Sequence, residues 1–127
     1  MNYRSELIVK KSSFYSYIFR ISNKNEIKNF LQKIAKEHKK ARHICYAYLF
    51  LEDGRENAGF SDDGEPKNTA GRPIYELLKI KKLNNLLVIT VRYFGGIKLG
   101  AGGLTRAYRE SANLSLQLFI KENSVGE

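Results

Sequence analysis

Five glycines fall within the nine residues Gly95 to Gly103, and this cluster most restricts the folds open to the chain. Before it runs Leu86–Phe94 (LLVITVRYF), apolar on both faces at its start, as in a buried strand. After it, Leu104, Ala107, Tyr108, Ser111, Ser115 and Leu118 mark a helix. A buried strand, a glycine-rich turn and a helix in succession form the usual setting of a phosphate-binding turn. Glycine lets backbone N–H groups approach an anion, and the following helix points its positive end at the same place. The spacing is not that of a Walker A loop: Gly95 to Gly100 fits, but Ala101 stands where lysine is needed. Nor is it a dinucleotide fingerprint, because Thr105 replaces the third Gly or Ala. The stretch therefore reads as an anion or nucleic-acid contact, carried by Arg92, Gly95, Gly96, Lys98, Gly100, Gly102, Gly103 and Arg106. A tight structural connection is the competing reading.

The rest of the chain supplies an alternating α+β order. Tyr3 to Lys10 alternates with a period of two, and Ser13–Ile21 is rich in aromatic and β-branched residues, with Lys11-Ser12 as a short hairpin link. Ile27, Phe30, Leu31, Ile34, Ala35 and His38 form an amphipathic helix stripe, and Asn23 with Glu26 resembles a capping box at its start. His43–Leu51 reads as a strand, Asp53-Gly54 as a turn, and Asn57–Phe60 as a short strand. Pro73 suits the first turn of a second helix with Ile74, Leu77 and Leu78 inside. The expected order is ββαββαβα.

Length and charge narrow the class. The 127 residues fit one domain with a core of its own. Cys45 has no partner for an internal disulfide, no apolar run reaches the roughly 18–20 residues of a membrane span, and the first residues lack the apolar block of a signal peptide. A cytoplasmic protein with no membrane contact is expected. The 22 Lys+Arg against 13 Asp+Glu give +9, which favours anionic partners. This charge is uneven. Residues 24–42 carry a local +5, read mainly as a solvated helix face, and residues 52–65 carry −5. From Leu77 to Arg109 there are seven basic residues and no acid. That basic stretch contains the glycine cluster.

Three further features carry alternatives. Ser61-Asp62-Asp63-Gly64-Glu65-Pro66 reads first as a turn, and otherwise as carboxylates holding Mg²⁺ or orienting an arginine. Thr69 to Pro73 then enters the second helix, with Arg72 in it and Thr69 as a possible cap. His43 and Cys45 share one strand face; a nucleophilic pair is conceivable, but a packed sheet position is favoured, and two ligands make no zinc site. The alternating aromatics Tyr15, Tyr17, Phe19 and Tyr46, Tyr48, Phe50 read as half of a core before they read as a base-stacking surface. No catalytic set, metal site or cofactor is assigned.

These strings together, His43-x-Cys45-x-Ala47-Tyr48, Ser61 to Pro66, Thr69 to Pro73 and Arg92 to Tyr108 (RYFGGIKLGAGGLTRAY), resemble the IMPACT family, whose bacterial members are the YigZ-type proteins. The resemblance implies a fold like the second domain of a small-subunit ribosomal protein, a mixed sheet with helices packed on one face. It places the family's core domain at residues 1–120, with a short tail at 121–127, and implies that the usual C-terminal ferredoxin-like domain is absent. Eukaryotic members are translational regulators, so the expectation is translation regulation through RNA or a ribosome-associated protein. A phosphate-bearing ligand is a further possibility, and no DNA specificity is expected. The alternatives are a protein-interaction module without nucleic-acid contact and a Mg-dependent phosphate-handling enzyme; enzymatic activity is the less expected. The motif residues His43, Cys45, Asp62, Asp63, Glu65 and Arg72 are without an assigned role, since the family offers no established catalytic set.

Overall fold

The central strand owes its place to its composition. In the computed structural model, which describes residues 3–123, the elements run β1 (Ser5–Val9), β2 (Ser12–Arg20), α1 (Lys24–Glu37), β3 (His43–Glu52), β4 (Arg55–Ser61), α2 (Gly71–Ile80), β5 (Leu86–Tyr93) and α3 (Gly100–Asn123). The expected α+β class and ββαββαβα order are both found. The five strands lie in the order β1-β2-β5-β3-β4, with β5 in the middle. Leu87, Ile89 and Val91 enter one core and Leu86 and Val88 the other, so apolar residues are needed on both faces.

Two details differ from the fold implied by the resemblance. All four pairings are antiparallel, so the sheet is not mixed. β2 and β3 run parallel to one another across the α1 crossover, but β5 is inserted between them and pairs antiparallel with both. The helices also occupy both faces. α2 and α3 cover one with Ile74, Leu78, Leu104, Tyr108 and Leu116. α1 covers the other with Ile27 and Ile34, against Tyr17, Phe50, Leu87 and Ile89. Tyr15, Tyr17 and Phe19 of β2 and Tyr46, Tyr48 and Phe50 of β3 point to this second face, which is why α1 is drawn there, whereas Phe14 points to the first and meets Tyr108.

Local chemistry sets the boundaries. Both hairpins turn on two residues with positive φ, Lys10-Lys11 (46° and 69°) and Asp53-Gly54 (53° and 76°), which suits the right-handed twist of the strands. The first turn thus lies one residue earlier than the Lys11-Ser12 link. Asn23 caps α1 by accepting from the Glu26 amide at 3.1 Å, while Glu26 reaches back to the Ser22 amide at 2.9 Å. α3 packs closely on β1 and β2 because its contact face is small: Ser111 and Ser115 bond to Ser16 and Ser5 in a buried hydroxyl network that also includes Thr90. Phe119 closes that face, and Leu118 is 45% exposed, not inward as its spacing suggested. Lys121 to Asn123 form the last turn of α3; residues 124–127 of the expected tail lie outside the described residues. Among the described residues, no helix is long and apolar enough to cross a membrane.

Candidate functional site

The acidic turn and the glycine-rich turn are far apart in sequence, yet they meet. β3 and β5 are paired with His43 opposite Arg92, so the loops beside these two residues come together at one end of the sheet. There Arg42, His43, Glu65, Arg92, Phe94, Lys98 and the start of α3 (Gly100, Ala101, Leu104) line a cleft of about 310 Å³.

Its floor is an ion pair. Arg92 donates from Nε to Glu65 Oε2 at 2.6 Å and from Nη2 to Oε1 at 2.8 Å, and both side chains are buried. This two-pronged geometry is the strong form of an Arg–carboxylate contact. Burial works against the Arg92 charge, but the Glu65 bonds prevail and raise its pKa. The Tyr108 hydroxyl donates to the same Glu65 Oε2. His43 donates from Nδ1 to the Asp63 carbonyl at 2.6 Å, leaving Nε2 facing Glu65 Oε1 at 3.5 Å. The Cys45 thiol has two acceptors in reach, the Asp62 carbonyl at 3.1 Å and the Tyr108 hydroxyl at 3.4 Å.

Several assigned residues take different roles once placed. Arg92 does line the cleft, but its guanidinium is held by Glu65 and is not a free anion contact. Asp62 accepts from the amides of Asn68, Ala70 and Gly71 at 2.8, 3.1 and 2.9 Å, so it caps the entry to α2 from upstream. Thr69 is not that cap, since its hydroxyl donates to the Pro66 carbonyl at 2.6 Å. The Asp63 carboxylate accepts from the Ile44 amide at 2.7 Å. The three carboxylates thus face backbone amides, an arginine and a tyrosine, and no group of three potential ligands among the described residues could hold a metal ion. Arg72 is exposed and pairs with Glu76 at 3.9 Å, away from the cleft lining.

The glycines separate in the same way. A Cβ on Gly95 would lie 2.0 Å from the Lys11 carbonyl oxygen, so this position serves a close approach of two backbones. Gly96 and Gly100 have φ of +95° and +74° in open space, where glycine is needed for conformation alone. A Cβ on Gly103 would press on Leu99 at 3.1 Å, whereas one on Gly102 would meet only the far end of Arg106 at 3.5 Å. Lys98 and Gly100 line the cleft; Arg106 lines a neighbouring groove with Lys10 and Glu110. The expected anion contacts therefore divide between two depressions. Arg42 and Phe94 are missed from sequence: Arg42 closes the basic stretch 24–42 that reads as a helix face, yet it lies beyond α1, just before β3, with its guanidinium 5.1 Å above the Phe94 ring at the cleft.

The placement of Cys45 and Tyr108 settles their chemistry. Burial is the main cause that pushes both pKa values well above their ordinary values, so the thiol is a poor nucleophile at neutral pH. The sign follows from linkage: folding keeps protons that the unfolded chain releases above about pH 8.5 for Cys and about pH 10 for Tyr. Stability is therefore expected to be level with respect to these groups up to about pH 8.5, then to fall by up to about 1.4 kcal/mol per pH unit for each group ionised only when unfolded. Iodoacetamide at about pH 8 should leave the native thiol unmodified and alkylate it in denaturant, read by mass spectrometry. Equal alkylation rates in the two states would contradict the packed position.

Comparison with known proteins agrees with this architecture. Residues 10–116 match the family described as the Impact N-terminal domain. The chain is 45% identical over 111 residues to the IMPACT family member YvyE of Bacillus subtilis, covering 87% of this chain and 51% of that one. It is 38% identical over 110 residues to the IMPACT family member YigZ of Escherichia coli, covering 86% and 54%. It thus spans about half the length of the curated relatives it matches. A crystal structure of a hypothetical protein superposes with a TM-score of 0.85 at 36% identity, over 90% of this chain and 56% of the other. The two-domain translational regulator Yih1 shares the fold, with a TM-score of 0.57 at 21% identity over 90% and 46%.

Proposed function

Because the chain belongs to the IMPACT family, we propose that it is a translation-linked binding protein that contacts RNA at the cleft between β3, β5 and α3. The family supplies the setting: Yih1, which shares the fold, is a translational regulator. The carrying observation is the arrangement of charge around the cleft. Its one lining carboxylate, Glu65, is neutralised by Arg92, while Arg42 and Lys98 stand at the opening beside the first turn of α3. That rim offers two cationic side chains and helix N-terminal amides to a phosphate. The same arrangement opposes the Mg-dependent alternative, because Asp62, Asp63 and Glu65 have partners within the protein.

Anisotropy of a short labelled oligouridylate, titrated between ~50 and ~200 mM salt, tests this reading. Affinity should fall as salt rises. Replacing Arg42 and Lys98 together with alanine should flatten the log–log slope by about 1.4, at roughly 0.7 per single-strand phosphate contact. Salt-independent binding, or an unchanged slope in the double variant, would remove the cleft as the site. A partner that survives nuclease treatment in a pulldown would favour the protein-interaction reading instead.

A further inference from the structure

On the opposite face of the sheet lies a groove that the cleft does not involve. It has a volume of about 400 Å³ and lies between α1 and β3. α1 seals its own side with Ile27 and Ile34, yet Tyr46 and Tyr48 of β3 remain only half-buried. Their rings are close to parallel, 19° apart in plane and 6.4 Å between centroids. The register places Tyr48 opposite Gly59 of β4, and a Cβ there would fall 2.6 Å from the Tyr48 hydroxyl. The ring therefore rests on bare backbone, and glycine is the residue that permits it. Lys24, Lys28 and Gln32 follow one another at i, i+4 and i+8 along the helix wall, about 6 Å per step, and no acidic residue lines the groove. Burial, then Tyr48 and then Asp63, raise the Tyr46 pKa, which keeps that phenol neutral.

We propose that this groove binds single-stranded RNA, with bases stacked on Tyr46 and Tyr48 and phosphates against Lys24 and Lys28. The proposal rests on the RNA-binding reading above and adds a second, stacking surface to it. Aromatic rings carried on an open sheet face and bordered by cations are what unpaired bases need: a π-surface to replace lost stacking, and charge along the backbone. A wholly apolar partner would leave the lysines without counter-charge, and an acidic peptide would have no use for two parallel rings. Gln32 adds an amide at the same wall that can bond to base edges. Stacking tolerates any base, so little sequence preference is expected.

The chain contains no tryptophan, so Tyr46→Trp introduces a single indole reporter. Titration with unlabelled oligouridylate should quench its emission, including when Arg42 and Lys98 are both alanine, provided enough RNA is added. In anisotropy, Tyr46→Leu with Tyr48→Leu should weaken binding by about 10- to 100-fold while leaving the salt slope near that of the parent. Photocrosslinking of the unaltered protein to 5-iodouridine RNA should give adducts at Tyr46 or Tyr48, a result that does not depend on the folding of the leucine variant. Adducts confined to other residues, or parental affinity in a folded leucine variant, would overturn the groove while leaving RNA binding at the cleft in place. If the unaltered protein binds no RNA and the indole is not quenched, the RNA-binding reading falls, and this proposal with it.

Discussion

Glu65→Ala is expected to lower stability by about 3–5 kcal/mol, a fall in Tm on the order of 10–20 °C for a domain of this size. Only 2% of the Glu65 side chain and 8% of the Arg92 side chain are exposed, so water cannot replace the lost carboxylate. Removing Glu65 leaves a buried guanidinium without counter-charge, and it also removes the acceptor of the Tyr108 hydroxyl. The cost is that of orphaned groups, not the net worth of the pair, and this distinction is measurable. Glu65→Leu combined with Arg92→Met should recover much of the loss, because no charge then remains to be desolvated. Recovery should be incomplete, since Tyr108 still lacks its acceptor; adding Tyr108→Phe should restore a further part. Urea denaturation of the four proteins measures the series. A single variant within about 1 kcal/mol of the parent would mean that Arg92 finds water or another partner, and that the cleft floor is not a closed ion pair.

The same pair shows where sequence reasoning reaches its limit. The elements were legible because each depends on near neighbours: the apolar run of β5, the 3.6-residue stripe of α1, the Asn23–Glu26 cap and the Asp53-Gly54 turn all declare themselves within a few residues. Cys45 was legible as a packed position for a similar reason, since it alternates with its strand neighbours. The acidic loop was legible as one able to orient an arginine, but that Glu65 and Arg92 would be the pair was not. Twenty-seven positions separate them, and only the β3–β5 register with the acidic loop alongside brings them together. Asp62 escaped for another reason. Capping rules look three residues ahead, whereas its carboxylate reaches the amides of Ala70 and Gly71 eight and nine positions on. The side of the sheet taken by α1 was equally hidden, because helical periodicity identifies an apolar stripe without saying which sheet face receives it. Tyr46 and Tyr48 illustrate the consequence. Their alternation correctly indicated a sheet face, yet it could not show that α1 would leave part of that face open.

Gly95→Ala is expected to be the most damaging change in the glycine cluster, with a loss of roughly 3–5 kcal/mol or failure to fold. The added methyl would lie 2.0 Å from the Lys11 carbonyl oxygen and 2.1 Å from its carbonyl carbon, and backbone atoms cannot rotate away as a side-chain tip can. Relief requires the β1–β2 turn to separate from the end of β5. That movement would also stretch the bond from the Gly95 amide to the Ser12 hydroxyl at 3.2 Å. The turn has little freedom to yield, since Lys10 and Lys11 already hold positive φ. Gly102→Ala provides the contrast. Its methyl would meet only the Arg106 guanidinium at 3.5 Å, and alanine is the better helix former, so stability should hold or rise by up to about 1 kcal/mol. Gly96→Ala and Gly100→Ala should fall between, at about 1 kcal/mol or somewhat more, because each forces an L-residue into the left-handed region without a steric clash. Thermal melts of the four variants would order them Gly95, then Gly96 and Gly100, then Gly102. If all four lost similar stability, the cluster would be acting as one flexible loop. If stability barely changed while RNA affinity fell in every variant, all of these glycines would be contacting phosphate. The ordered result instead assigns Gly95 to the fold and leaves the amides at the start of α3 to the ligand.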